Sequence, residues 1–344
     1  MVTIKDVARV AGVSTATVSR VVHDGGQVGE ACRQRVKKVI KELGYRPNVN
    51  ARALVNNSSS TIGVVTPKLS MTFFGCLASG AEKAARKKGL KLLMSNSLYE
   101  TKTELNAIES LREHSCNAIL LHSEYSDEAT LKDLAEKIPG LVIINRYLPS
   151  LASRCVWLDN VSGGRQIAEY LINRGHTQFA VATSVYQNSD PQLRLKGMNE
   201  ALDEAGLTLD SSNVVASTAN MEGGEEVVAK LLASGAKFTA LVAYNDLMAV
   251  GAINALQDAG VRVPEEVSVV GFDNLYVSKA CRPHLTTMAY PIEEMAEYAV
   301  NLAITLSEGP KEPMRNTHLF LPTLVERNSV MDLRNINKTI ATAS

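Results

Sequence analysis

Two groups of residues in this sequence have the chemistry of recognition rather than of bond-making. The first lies near the N-terminus. Thr15, Ala16, Ser19 and Arg20 fall on the outer face of a short helical pattern whose inner face is Val18, Val21 and Val22. An arginine on such a face can donate two hydrogen bonds to a guanine edge, and an alanine or threonine methyl can meet a thymine methyl. The second group is spread over the C-terminal half. Asp273 closes the apolar run Val267–Phe272, Asn245 follows Ala240–Tyr244, and Arg194 comes after a loop. Groups of this kind, placed beyond the ends of apolar strands, can hold a small polar ligand by planar, charge-assisted hydrogen bonds. Plainer alternatives stand beside each. The N-terminal helices could be a protein-binding module, Arg194 a solvated helix-start residue, and Asp273-Asn274 a turn pair. Asp246 reads as structural.

Catalytic and cofactor chemistry finds less support. A GxxxxGK[ST] loop and a GxGxxG after a strand are both missing, and Gly163-Gly164 and Gly223-Gly224 are too sparse to cradle phosphate. The six histidines are dispersed, and Cys32, Cys76, Cys116, Cys155 and Cys281 form no CxxC pair. The expectation is a non-enzyme with no cofactor and no metal, its thiols reduced in a cytoplasmic setting. The first ten residues carry Lys5, Asp6 and Arg9 without an apolar run, so they do not read as a leader, and no stretch is apolar enough for a membrane span.

The elements that must position these residues follow from periodicity and capping. Thr3 and Asp6 have capping-box spacing ahead of Val7, Ala8 and Ala11. Gly12-Val13-Ser14 is a turn, and Ser14 can cap the second helix. Val36, Val39, Ile40 and Leu43 mark a third helix that Gly44 stops. A short helical pattern over 50–56 and a Ser-rich link to residue 60 follow. From Thr61, strands alternate with helices: Ile62–Thr66, Leu90–Ser95, Ala118–His122, Leu141–Asn145 and Cys155–Leu158, then Phe179–Thr183, Val214–Ser217, Ala240–Tyr244 and Val267–Phe272. Gly80–Lys88 and Glu225–Ser234 are examples of the helices between. Strands this apolar argue for parallel sheets covered on both faces, in two doubly wound series with a ligand site in the cleft between them. Net charge is zero, yet residues 1–60 hold ten Lys/Arg against four Asp/Glu, so a polyanion partner is expected for the head alone.

The run Thr3–Val22, TIKDVARVAGVSTATVSRVV, resembles the head of the lactose/galactose repressor family, and Tyr45–Leu54 resembles its hinge. Ile144–Pro149, Tyr244–Ala249, Arg282–Thr287 and Pro322–Val325 are similar to the galactose branch of that family, so the resemblance spans nearly the whole chain. It implies a small all-α helix-turn-helix head on an α/β core like periplasmic binding proteins, built of two doubly wound, Rossmann-like subdomains. The implied boundaries are 1–46 for the head, 47–60 for the hinge, 61–159 with 292–320 and 160–291 with 321–330 for the subdomains, and 331–344 for a polar, disordered tail. The implied DNA-binding set is Thr3, Ser14, Thr15, Ala16, Thr17, Ser19, Arg20, Asn48, Ala51, Ala53 and Leu54, with Leu54 wedged into the minor groove. Thr15 departs from the aliphatic residue of the galactose branch. The implied effector set is Phe73, His122, Arg146, Asp190, Arg194, Asn245 and Asp273. Where the family often carries an aromatic platform, near Asn220-Met221, this chain has Met221, so ring stacking from the second subdomain is not expected. The implied partners are a palindromic operator bound by a homodimer, and a D-galactose-like sugar that releases it. The alternative is a cytoplasmic sugar-binding or sugar-processing protein without DNA function.

Overall fold

The computed structural model describes residues 2–22, 25–26, 28–45, 61–186, 188–309 and 318–334. The chain divides into two compact units, Met1–Ser60 and Thr61–Ser344. Asn48, Ala51, Ala53 and Leu54, the expected hinge contacts, lie outside the described residues.

In the first unit, α1 (Ile4–Ala11), α2 (Thr15–Val22) and α3 (Glu30–Leu43) enclose a small aliphatic core. Val7, Ala8, Ala11, Val18, Val21, Val36 and Val39 are buried, and Val22, Ile40 and Leu43 pack against them. The Thr3–Asp6 capping box forms, and Gly12 ends α1 at φ 66°, a left-handed conformation that a residue without Cβ takes at no steric cost.

The second unit holds two six-stranded sheets. The first comprises β1 (Thr61–Thr66), β2 (Lys91–Asn96), β3 (Ala118–Leu121), β4 (Gly140–Ile144), β5 (Cys155–Leu158) and β11 (His318–Phe320). Its order is β2-β1-β3-β4-β5-β11, all parallel. The second comprises β6 (Phe179–Ser184), β7 (Val214–Ser217), β8 (Ala240–Ala243), β9 (Ser268–Asp273), β10 (Thr286–Ala289) and β12 (Thr323–Val325). Its order is β7-β6-β8-β9-β10-β12, with β12 alone antiparallel. In each sheet the strand order reverses once, between β1 and β3 and between β6 and β8, and such switch points open a crevice at the carboxyl ends of the strands.

The chain crosses between the sheets three times: at Asp159 after β5, at Tyr290-Pro291 after β10, and at Leu321-Pro322 between β11 and β12. The second crossing returns the helix Ile292–Glu308 to the first sheet. There it packs on Thr72–Lys87 so closely that a Cβ on Gly80 would lie 2.3 Å from the Glu293 carbonyl oxygen.

Several expectations need correction. β10, β11 and β12 were not among the apolar runs, because three- and four-residue strands at crossings carry little periodicity. The helix expected from Gly80 begins at Thr72, and the one expected from Glu225 begins at Met221, where the Asn220 side chain caps it by accepting from Gly223 N–H at 2.9 Å. Gly223 and Gly224 lie in close backbone contacts: Cβ atoms there would lie 1.9 Å from the Thr218 oxygen, in the connection before the same helix, and 2.1 Å from the Met248 oxygen, on the helix Asp246–Asp258. Met331–Arg334, expected in a disordered tail, is tied down. Met331 N–H donates to Ser268 Oγ at 2.9 Å and Leu333 N–H to the Arg174 carbonyl at 2.8 Å.

Candidate nucleic-acid interface and effector cleft

In the head, Ser14 Oγ accepts from Thr17 N–H at 3.1 Å and pairs with Thr17 Oγ1 at 2.9 Å, so these two hydroxyls fix the start of α2. Burial of Val18 and Val21 then turns Thr15, Ala16 and Arg20 outward, with Ser19 half-buried beside them. Thr3 donates its hydroxyl to Asp6 Oδ2 at 2.7 Å, and that bond, with the Thr3 N–H, holds the Asp6 carboxyl below the usual range. The face is a short helix presenting one cation, two hydroxyls and a methyl, which matches the dimensions and chemistry of a major-groove reader.

In the second unit, residues beyond the carboxyl ends of the strands converge on a cleft between the two sheets. It encloses about 450 Å³ of empty space, including its open mouth. Arg194, from the helix Asp190–Glu204, lines it. Its Nε donates to Asn160 Oδ1 at 2.8 Å and an Nη to the Tyr244 carbonyl at 2.6 Å, while the guanidinium sits 3.5 Å from the centroid of the Phe272 ring. Asp190, at the start of the same helix, accepts from Asn160 Nδ2 at 3.0 Å and from Asn145 Nδ2 at 2.9 Å. Burial pushes the Asp190 carboxyl up, and Arg194 opposes that shift. Asp273 ends β9 with φ 108°, a strained conformation for a side-chain-bearing residue, and its carboxyl is also pushed up by burial, against the pull of Arg194. Asn274 follows at φ 57°, just outside the strand, and the Asp273 side chain lines the cleft.

The remaining effector candidates fall as follows. Phe73 lines the cleft and meets the Tyr290 ring edge-on at 5.0 Å, while the more deeply buried Phe74 also lines it and meets the His122 ring edge-on. His122 is buried, kept neutral by burial that pushes it down to about 4. Asn245 lines the cleft, but its side chain is largely committed: Oδ1 caps the next helix at Met248 N–H, 2.9 Å, and Nδ2 donates to the Ala219 carbonyl, 3.0 Å. Arg146 lines an adjoining chamber, not the main cleft, and donates to the Ser126 carbonyl at 2.7 Å. Asp246 is wholly buried between Thr287 Oγ1 and Leu275 N–H, a structural role.

Sequence reasoning missed Tyr99, Glu124, Asn145, Tyr186, Asn188, Tyr244 and Tyr290, all of which line the cleft. Met221 does not line the cleft, and the rings that the second subdomain brings to it are Tyr186 and Tyr244, which the expectation about ring stacking did not consider. Tyr186 stacks on Tyr99 of the first subdomain, with centroids 5.2 Å apart and planes 20° from parallel. Asn145 also bridges the halves, donating to Asp190 and accepting from the Tyr290 hydroxyl. Tyr99, three residues past β2, and Asn145, directly after β4, have φ of 61° and 64°. A polar or aromatic residue just past a strand's carboxyl end was the available signal. Glu124 is buried too, which pushes it up to about 7, with Asp190 and Glu104 adding to the shift and a hydrogen bond to Asn188 opposing it. The cleft thus offers donors on Arg194, acceptors on Asp190 and Asp273, and tyrosine rings in its lining from both halves.

Residues 3–48 match the family described as bacterial regulatory proteins, lacI family, and residues 168–330 match the periplasmic binding protein-like domain. The chain is 42% identical to the HTH-type transcriptional regulator GalS of Salmonella typhimurium over 96% of its own length and 97% of that protein's. It is also 42% identical to the regulator GalR of Escherichia coli, covering 96% of each chain. Among solved structures, the lac repressor dimer bound to operator and the anti-inducer ONPF superposes with a TM-score of 0.87 at 25% identity, over 96% of this chain and 99% of that one. These relatives are transcription regulators, not enzymes, and the chain belongs to the lacI family of bacterial regulatory proteins.

Proposed function

We propose that this chain is a sugar-responsive transcriptional repressor that binds a palindromic operator as a homodimer and is released by D-galactose. The observation that carries the reading is the convergence of Arg194, Asp190 and Asp273 with tyrosine rings from both halves of the second unit. Planar charge-assisted donors and acceptors suit vicinal hydroxyls, and a ring face suits the C–H side of a pyranose. Galactose is favoured by the likeness to GalS and GalR.

In this mechanism the sugar draws the two halves together through residues they share. That motion changes whether two copies of the segment around Leu54 can meet in a minor groove, where an apolar wedge kinks the duplex. The sugar must bind the DNA-incompetent state more tightly for release to follow. Calorimetry with a sugar panel, run beside gel shifts, tests the proposal. D-galactose should bind and weaken operator affinity, and Arg194→Ala or Asp273→Ala should abolish both effects. Variants that keep a wild-type galactose response would refute this assignment of the cleft.

A further inference from the structure

Glu124 stands where the two halves of the second unit meet. It follows β3 of the first subdomain, lines both the main cleft and the adjoining chamber, and has a side chain only 6% exposed. Across the cleft, the second subdomain sets Asn188 against it as a hydrogen-bond partner, with Asp190 and Tyr244 close by. On its own side lie Tyr99, His122 and Glu104, the last held by the Ser126 and Ser123 hydroxyls at 2.6 and 2.8 Å.

No cation answers this carboxyl. Among the described residues, His122 Nδ1, 3.6 Å from Oε1, is the one basic group at ion-pair distance, and burial keeps that ring neutral. The guanidiniums that line the two cavities are engaged elsewhere: Arg194 by Asn160 and the Tyr244 carbonyl, Arg146 by the Ser126 carbonyl. Glu124 Oε2 is buried without a hydrogen-bond partner. Water solvates a carboxylate in an open cleft. Closure expels that water and brings Asp190 up to it, and both changes favour the neutral acid. In the closed arrangement Glu124 is pushed up to about 7 from an ordinary value of 4.5, to which an open cleft returns it. Between those values closure takes a proton from solvent, and the penalty on closing grows as the pH rises through that window and is complete above about 7. Once protonated, Oε2 is a donor for a ligand oxygen. His122 adds little to this balance, because the Phe74 ring that packs edge-on against it belongs to its own half and stays with it when the cleft opens.

We infer that closing the cleft on its effector is coupled to uptake of a proton by Glu124, so that the sugar binds more tightly as the pH falls. The inference rests on the sugar-binding reading of the main cleft. Calorimetry of D-galactose binding to the full chain tests it, in phosphate and Bis-Tris at pH 6.5 and in phosphate and Tris at pH 8, since the dependence of the heat on the buffer counts protons. The parent should take up about 0.5–1 proton more than Glu124→Gln at pH 6.5 and about none more at pH 8. Its galactose affinity, relative to that of Glu124→Gln, should fall about tenfold from pH 6 to pH 8. Asn188→Asp sets a further carboxylate against Glu124 and should move the fall in affinity to higher pH, a readout that stands even if Glu124→Gln does not bind. Galactose bound without proton uptake, uptake undiminished in Glu124→Gln, or an unmoved pH profile in Asn188→Asp would overturn the coupling alone. No galactose binding at any pH would sink the sugar reading and the coupling together.

Discussion

The Tyr99–Tyr186 contact is the most exposed test of how the cleft closes. The two rings come from opposite halves of the second unit and stack at 5.2 Å, within the range where aromatic pairs add about 0.5–1.5 kcal/mol beyond area burial. Their hydroxyls also meet at 3.4 Å, a long hydrogen bond at the weak end of the usual range of about 0.5–1.5 kcal/mol. The pair therefore stabilises the closed cleft by about 1–2 kcal/mol, a factor of about 5–30 in an equilibrium constant. Both rings line the cleft, so either single substitution also removes ligand contact. A double-mutant cycle with Tyr99→Leu and Tyr186→Leu separates the two effects, since only the shared term survives the subtraction. Galactose Kd measured by calorimetry on the four proteins should give a coupling of about fivefold or more. Strict additivity, with each variant weaker by its own factor and no coupling, would refute the account in which the sugar closes the halves on each other.

Other outcomes follow from the same geometry. Arg20→Ala should cost about 1–3 kcal/mol of operator affinity and relax discrimination at one base position, read by anisotropy against a set of point-substituted duplexes. A Cβ on Gly164 would lie 1.9 Å from the Arg194 carbonyl oxygen, so Gly164→Ala should lower the melting temperature and weaken galactose binding together; a wild-type profile in both would contradict the tight contact between those helices. Glu124 is raised from 4.5 to about 7, so burying it is penalised when it is ionised, a penalty that sets in above 4.5 and is complete above about 7. Glu124→Gln should therefore be more stable than the parent in urea at pH 8, with the difference vanishing as the pH falls to 4.5, while the neutral His122 is common to both proteins. Leu54→Ala should weaken binding to the symmetric operator while leaving the melting of the head unchanged, and an unaltered gel shift would remove the wedge.

The sequence made the local parts of this molecule legible and left the contacts between halves obscure, for physical reasons. The three helices of the head were readable because their signals are short-range: Thr3 and Asp6 three residues apart, Gly12 and Gly44 at helix ends, valines at helical spacing. The buried parallel strands announced themselves as apolar runs, since strands covered on both faces cannot alternate. Asp273 and Arg194 stood out as charged groups beyond a strand and after a loop, Asp190 came from the family resemblance alone, and the structure gathers all three in one cleft. Tyr99 and Glu124 did not stand out. Their function depends on Tyr186 and Asn188, which are brought opposite by three crossings between the sheets. No local pattern encodes such a juxtaposition. Gly164 and Gly224 carry no local signal of their role either: each lies in a helix where the backbone of another helix occupies the place of its Cβ.

The most direct test of the central claim is fluorescence anisotropy of the full-length chain on a palindromic duplex selected by the protein from a random pool. The titration is run at fixed moderate salt against a scrambled competitor, with and without saturating D-galactose. The account predicts tight, sequence-selective binding that weakens when the sugar is added. Equal affinity for the selected and scrambled duplexes, or selective binding that no sugar alters, would contradict it.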